Sequence, residues 1–157
     1  MSSPTSSVRR RRRAPRGSGD LLRDEILDAT TELLLETGNA KEVSIRSVAQ
    51  RVGVTPPSIY LHFADKDALL DAVCARYFEK LHEEMQRAAT GQSCTLEVLR
   101  AQGLAYVRFA THTPELYRIA TMGEIRPGSD VDAVLASSAF VYMRDSVRAL
   151  MDEGVYA

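Results

Sequence analysis

The spacing that most constrains this chain lies between Val48 and Phe63. Ala49 is followed four residues later by Gly53, and six beyond that by Ile59. Those residue types in that order suit two short helices crossing about a tight turn. The small side chain lets the backbones approach, the glycine takes the turn, and the branched apolar residue anchors the second helix from beneath. The flanks agree. Ser44 stands as an N-cap before Ile45, Val48, Ala49 and Val52, and Thr55 precedes Pro56 and Pro57. Prolines break a helix interior, but at the first two helical positions they cost little, because those N–H groups have no intrahelical partner anyway. Here they mark a start.

The remaining elements follow the same period. Leu22, Ile26, Ala29 and Leu33 predict a helix over about 21–37, with Gly38 as its C-terminal cap. Asp65 caps a helix from Lys66 to about Ala89 whose apolar stripe is Leu69, Leu70, Val73, Tyr77, Leu81 and Met85. At roughly 1.5 Å per residue it is about 35 Å long, enough to act as a lever between two regions. After a turn at 90–93, a helix from Leu96 to about His112 is expected to face inward with Leu99, Gly103, Tyr106 or Val107, and Ala110. Thr113 caps a short helix from Pro114 carrying Leu116, Tyr117 and Ile119. A loop covers 123–128. Ser129 and Asp132 resemble a capping box for a last helix to about Glu153, which Gly154 ends. No segment carries a β period. The expected fold is all-α: an Arg-rich disordered arm over 1–19, a three-helix helix-turn-helix domain over 20–66, and a helical domain over 67–157.

Composition excludes several classes. Of the 157 residues, 45% are hydrophobic and 26% charged, values of an ordinary globular protein. No apolar run approaches the roughly 18 residues that span a bilayer, and the arginine run has no apolar stretch after it to make a secretory signal. Cys74 and Cys94 have neither a disulfide-framework nor a zinc spacing, so a reducing, cytoplasmic setting is expected. His62, His82 and His112 fall on different helices without a carboxylate or cysteine at ligand spacing, and no phosphate-binding glycine loop is present. An enzyme is not expected, nor a metal or cofactor. His82 with Glu79 and Glu83 reads as a charged exposed face.

The net charge of −1 conceals an asymmetry: residues 1–16 hold Arg9, Arg10, Arg11, Arg12, Arg13 and Arg16 and no acid, a local charge of +6. Such an arm, rich in Ser, Pro and Arg, buries little and is drawn to polyanions. Together with a helix-turn-helix, whose second helix enters the DNA major groove, it points to nucleic acid. A solvated tail or a patch for acidic lipids is the alternative for the arm alone.

The stretch Ile26 to Val73, above all SIRSVAQRVGVTPPSIYLHFADKDALLDAV, resembles the N-terminal DNA-binding domain of the TetR family of transcriptional repressors. It covers about a third of the chain, and its Tyr-x-His-Phe close to the third helix occurs together with the following Lys-x-x-Leu-Leu. The resemblance implies a homodimer whose three N-terminal helices read a palindromic operator, with a helical C-terminal domain that binds a small, apolar or amphipathic molecule and releases the DNA. The segments Tyr106 to Ala110 and Thr113 to Tyr117 resemble one C-terminal subgroup of that family.

Carried over position by position, Arg46 matches a site from which a guanidinium reaches a guanine edge. Pro56 and Pro57 stand where relatives place a polar base reader, so base contact there is expected to be apolar packing on thymine methyls. Ser58 and Tyr60 match phosphate-contacting positions, with Thr55 beside them at the N-cap; the Tyr60 ring could equally pack inside the domain with its hydroxyl outside. His62 borders the same surface but is more often packed between helices in this motif, and Phe63 is core. Lys66 is an unusual residue for the first turn of a helix, where the dipole favours acids, and a phosphate partner would explain it. Ser44 offers another phosphate its hydroxyl. In the C-terminal half, Tyr77, Tyr106, Phe109, Met122, Phe140, Tyr142 and Met143 are candidates to line a ligand pocket, with Ser137, Ser138 and Asp145 as its polar groups; each reads equally as ordinary helical core or surface.

Two function classes stay open at this point. One is a ligand-responsive repressor; the other is an architectural DNA-binding protein without an effector pocket, whose arm supplies most of its affinity. The resemblance also implies two further helices after a segment like 131–153 to close the dimer, and Ala157 follows soon after Gly154. On that ground the 157-residue chain is expected to be monomeric or weakly dimeric, and the full-length protein a firm homodimer.

Overall fold

The computed structural model describes residues 18–122, 127–136 and 139–155. Every element among the described residues is an α-helix: α1 (Ser18–Thr37), α2 (Ile45–Val52), α3 (Pro56–Tyr60), α4 (Lys66–Ala89), α5 (Thr95–His112), α6 (Pro114–Met122), α7 (Asp130–Ala136) and α8 (Ala139–Asp152). The chain divides into two compact units, the first ending at Leu70 and the second beginning at Asp71, so α4 contributes its first turn to one and its remainder to the other.

In the first unit α1 starts at Ser18, three residues before the start at about 21 that the apolar period marks. Its inward residues Ile26, Leu27 and Leu34 are fully buried, and they share the core with Val43, Val48, Ala49, Ile59, Phe63 and Leu69. Capping decides where α2 lies. The Ser44 hydroxyl accepts the Ser47 N–H at 3.1 Å while the Ser47 hydroxyl accepts the Ser44 N–H at 3.0 Å, a reciprocal box built from two serines. At the other end Gly53 sits at φ 79°, and its N–H and that of Val54 both donate to the Ala49 carbonyl. A Cβ at Gly53 would meet open space, so substitution there carries only the left-handed backbone penalty. Gly53→Ala is therefore expected to lower stability by about 1 kcal/mol, and Gly53→Asn by less, because asparagine tolerates that conformation. Paired thermal melts of the two variants check the order.

The second unit is built on α4. Asp65 accepts the Ala68 N–H at 2.7 Å and opens the helix, and Val73, Tyr77, Leu81 and Met85 of its stripe are buried. The inward face of α5 departs from expectation. Gln102 and Ala105 are its buried residues, with Tyr106 and Phe109 half-buried beside them, whereas Val107 is exposed. A polar Gln in the core displaces the face by about a residue from the one the apolar period marks. After α6, which buries Leu116 and Ala120, Ser129 caps α7 by accepting the Asp132 N–H at 3.2 Å, and Asp132 accepts from Gly128 instead of from the cap itself. The expected last helix is represented by α7 and α8; residues 137 and 138 between them lie outside the described residues. Gly154, at φ 73°, ends α8.

Candidate nucleic-acid interface

The first unit gathers its candidate residues around α2 and α3. On α2, Arg46 lies in the first turn, exposed and with no partner among the described residues. Ser44 is exposed at the cap, its hydroxyl engaged in the box with Ser47. On α3, Thr55 is the N-cap but makes no side-chain bond to the helix; its hydroxyl lies 3.1 Å from that of Ser58. Pro56 and Pro57 occupy the first two positions and are exposed. Tyr60 is 53% exposed, which answers for this unit the choice between a packed and an outward ring. Leu61 after it is 84% exposed, a large apolar side chain at the end of a five-residue helix. The carried-over positions had not singled Leu61 out, although a leucine directly after Tyr60 breaks the apolar period and could have drawn notice. His62 is half-buried and Phe63 buried, with the Arg23 guanidinium 5.2 Å above the Phe63 ring.

Lys66 is half-buried, and its ammonium donates to the Lys41 carbonyl at 3.5 Å, so it is held against the loop between α1 and α2. That contact accounts for part of its presence in a first turn and leaves its other donors for an outside acceptor. Arg51 is the residue that sequence reasoning missed. Its fork meets Glu36 through two bonds of 2.8 and 2.6 Å and reaches Glu32 at 3.3 Å, tying α2 to α1. The Arg51 hydrogen bond holds the Glu36 carboxyl below its ordinary pKa, and Glu36 raises that of Arg51 in return. Arg51 is thus occupied inside the unit, while Arg46 is not. The arm residues Arg9, Arg10, Arg11, Arg12 and Arg13 lie outside the described residues.

In the second unit the ring candidates only partly assemble. Tyr77 packs on Phe109 at 4.9 Å between centroids, Tyr106 on Phe140 at 5.9 Å and on Tyr117 at 6.2 Å. The hydroxyls of Tyr106 and Tyr117 are 2.7 Å apart; burial, with that hydrogen bond second, pushes the Tyr106 pKa up to about 12. Burial likewise raises that of Tyr77; the Thr113 side chain beside its hydroxyl pulls the other way, although the two make no well-formed hydrogen bond. Tyr142 joins none of these rings; it lies 5.2 Å from the ring of His82. His82 is accordingly half-buried, not part of a charged exposed face as expected, although Glu79 and Glu83 beside it are exposed. Met122 is 79% exposed and stands apart. Ser137 and Ser138 lie outside the described residues, and Asp145 pairs with Arg144 at 2.8 Å. No helix among the described residues is long and apolar enough to cross a membrane, and no cluster of metal-ligating side chains occurs among them.

Residues 26–73 match the family model described as bacterial regulatory proteins, tetR family. Over 73 residues the chain is 37% identical to the tetracycline repressor protein class D of Escherichia coli, which covers 46% of this chain and 33% of that one. Over 116 residues it is 30% identical to the HTH-type transcriptional activator FasR of Mycolicibacterium smegmatis, covering 74% and 51%. The matched part thus spans about a third to a half of these curated relatives. A TetR family transcription regulator from Marinobacter aquaeolei VT8 superposes with a TM-score of 0.70 at 22% identity, over 89% of this chain and 73% of that chain, and shows the fold. With its helix-turn-helix segment matched and its all-helical architecture shared, the chain belongs to the TetR family of DNA-binding transcriptional regulators.

Proposed function

We propose that the protein is a ligand-responsive repressor that binds a palindromic operator as a homodimer and releases it when the second unit takes up a small molecule. The observation that carries this reading is the contrast between two arginines of α2: Arg51 is consumed by Glu32 and Glu36, and Arg46 is exposed and has no partner among the described residues. An unpaired guanidinium at the opening of α2 suits base-edge reading, whereas Tyr60, Ser58 and Lys66 suit phosphates. A protein that merely coats DNA needs no such division of labour. The tetracycline repressor lends the repressing sense its support, while FasR, matched over more of the chain, is named an activator.

For the homodimer, α8 offers Phe140, Val147 and Met151 as exposed apolar residues at helical spacing, and α5 offers Leu104 and Val107. A second copy must bury at least about 1,000 Å² to make a stable specific interface. A ligand favouring one orientation of α4 would shift the operator-binding population by no more than its differential affinity for the two states. The test is selection of operator DNA from a random library, followed by a salt series on the selected site and on random DNA. A palindromic consensus bound at least a thousandfold more tightly than random sequence is expected. Equal affinity for both, with one salt slope, would favour the architectural reading in which the six arginines of residues 1–16 do the binding.

A further inference from the structure

We infer that the second unit binds a small amphipathic anion in a groove between the last two turns of α4 and the C-terminal half of α5. The inference deepens the effector reading above, on which its regulatory meaning rests, but the binding itself does not depend on it. The groove has a volume of about 550 Å³, within the range of about 300–1,000 Å³ that small-molecule sites occupy. Its floor is apolar, formed by Ala88, Ala105 and the half-buried ring of Phe109. Its rim is cationic. Arg87 and Arg108 face it with His112, against the single carboxylate of Glu84.

The two guanidiniums differ in availability. Arg87 is held by Glu84 at 2.6 Å, whereas Arg108 is exposed and its guanidinium has no hydrogen bond or ion pair among the described residues. Two cations against one anion leave the wall net positive beside an apolar floor. A ligand that satisfies both needs a carboxylate or similar head for the Arg108 fork, which accepts such a head through two parallel hydrogen bonds, and an apolar body to cover Phe109 and the alanines. The neighbouring ring cluster is a poorer candidate. Its Tyr106 and Tyr117 hydroxyls satisfy one another at 2.7 Å, and the Tyr77 hydroxyl that is left over is neutral, so the cluster offers no cation to a ligand head. Phe109 links the groove to the interior through its contact with Tyr77 at 4.9 Å, so an occupant would press on α4 through that ring.

The experiment is calorimetric titration of the whole chain with decanoate, with decan-1-ol as its neutral counterpart and decyltrimethylammonium as its cationic one. Saturable one-site binding of decanoate is expected, at least tenfold tighter than the alcohol, with no saturation by the cation. Arg108→Gln should cut decanoate affinity at least tenfold and leave the alcohol unchanged; Arg100→Gln, on the same helix but outside the groove, should change neither. Ala88→Leu, which fills the floor and adds only apolar volume, should weaken both ligands while far-ultraviolet circular dichroism stays that of the parent. Equal binding of acid and alcohol, or an unaltered decanoate affinity in Arg108→Gln, overturns the inference. Fluorescence anisotropy of labelled operator separates the two readings. Decanoate bound without loss of DNA leaves the groove standing and removes its effector role, and DNA release that persists in Arg108→Gln places the effector elsewhere.

Discussion

Ile59→Ala is expected to lower the stability of the first unit by about 2–5 kcal/mol and to remove specific DNA binding altogether. The side chain is fully buried, and it is the one buried residue of α3. A five-residue helix has no stability of its own, since isolated helices shorter than about 12–15 residues are marginal in water. Its attachment therefore rests on that single anchor and on the turn that follows, where the Ile59 carbonyl accepts the N–H groups of His62 and Phe63 at 2.9 and 3.0 Å. Truncation leaves a cavity and frees the recognition helix to detach. Urea unfolding read by circular dichroism measures the loss, and Ile59→Val, which keeps most of the volume, should cost only about 0.5–1.5 kcal/mol. A midpoint for Ile59→Ala equal to that of the parent would mean that α3 is held by something other than its core contact.

Arg46→Ala carries the second large effect, about 1–3 kcal/mol on the selected operator, concentrated at one base pair. The guanidinium is exposed and has no partner to lose among the described residues, so stability should not change, and the free-energy loss reports contact with DNA alone. Lys66→Ala supplies the contrast. It should weaken cognate and random sequences alike and lower the salt slope by about one unit, the signature of a phosphate contact. Competition binding against operators mutated one base pair at a time distinguishes them. Equal losses on cognate and random DNA for Arg46→Ala would remove it as a base reader.

Much of the first unit was legible because its signals are local. Ser44, Gly53, the two prolines and Asp65 each act within a turn of themselves, and α2, the opening of α3 and the start of α4 fall where those residues put them. Contacts between distant segments were not legible. The Arg51 fork closes on glutamates 15 and 19 residues away, and nothing in the period of α1 or α2 marks them as partners. The face of α5 was misjudged for a related reason: Gln102 is buried by its neighbours, and an apolar count passes over it. His82 is drawn toward Tyr142 of α8, a pairing that only the tertiary structure creates. The groove escaped notice in the same way, because Arg87 and Arg108 come from separate helices and each by itself reads as a solvated charge.

The paired prolines at the start of α3 also bear on how the protein finds its site. A helix N-terminus ordinarily traps phosphate through free backbone N–H groups. Pro56 and Pro57 have none, and the Ser58 N–H is spent on the Thr55 carbonyl at 2.9 Å. The tip of the recognition helix is thus a weak brake on the sugar-phosphate backbone. On the proposed reading, dwell time on wrong sequences would be set by side chains instead, chiefly cations whose grip falls steeply with salt. If α3 enters the major groove as proposed, such a tip is expected to slide with little friction at physiological ionic strength and to stop where base contacts hold it.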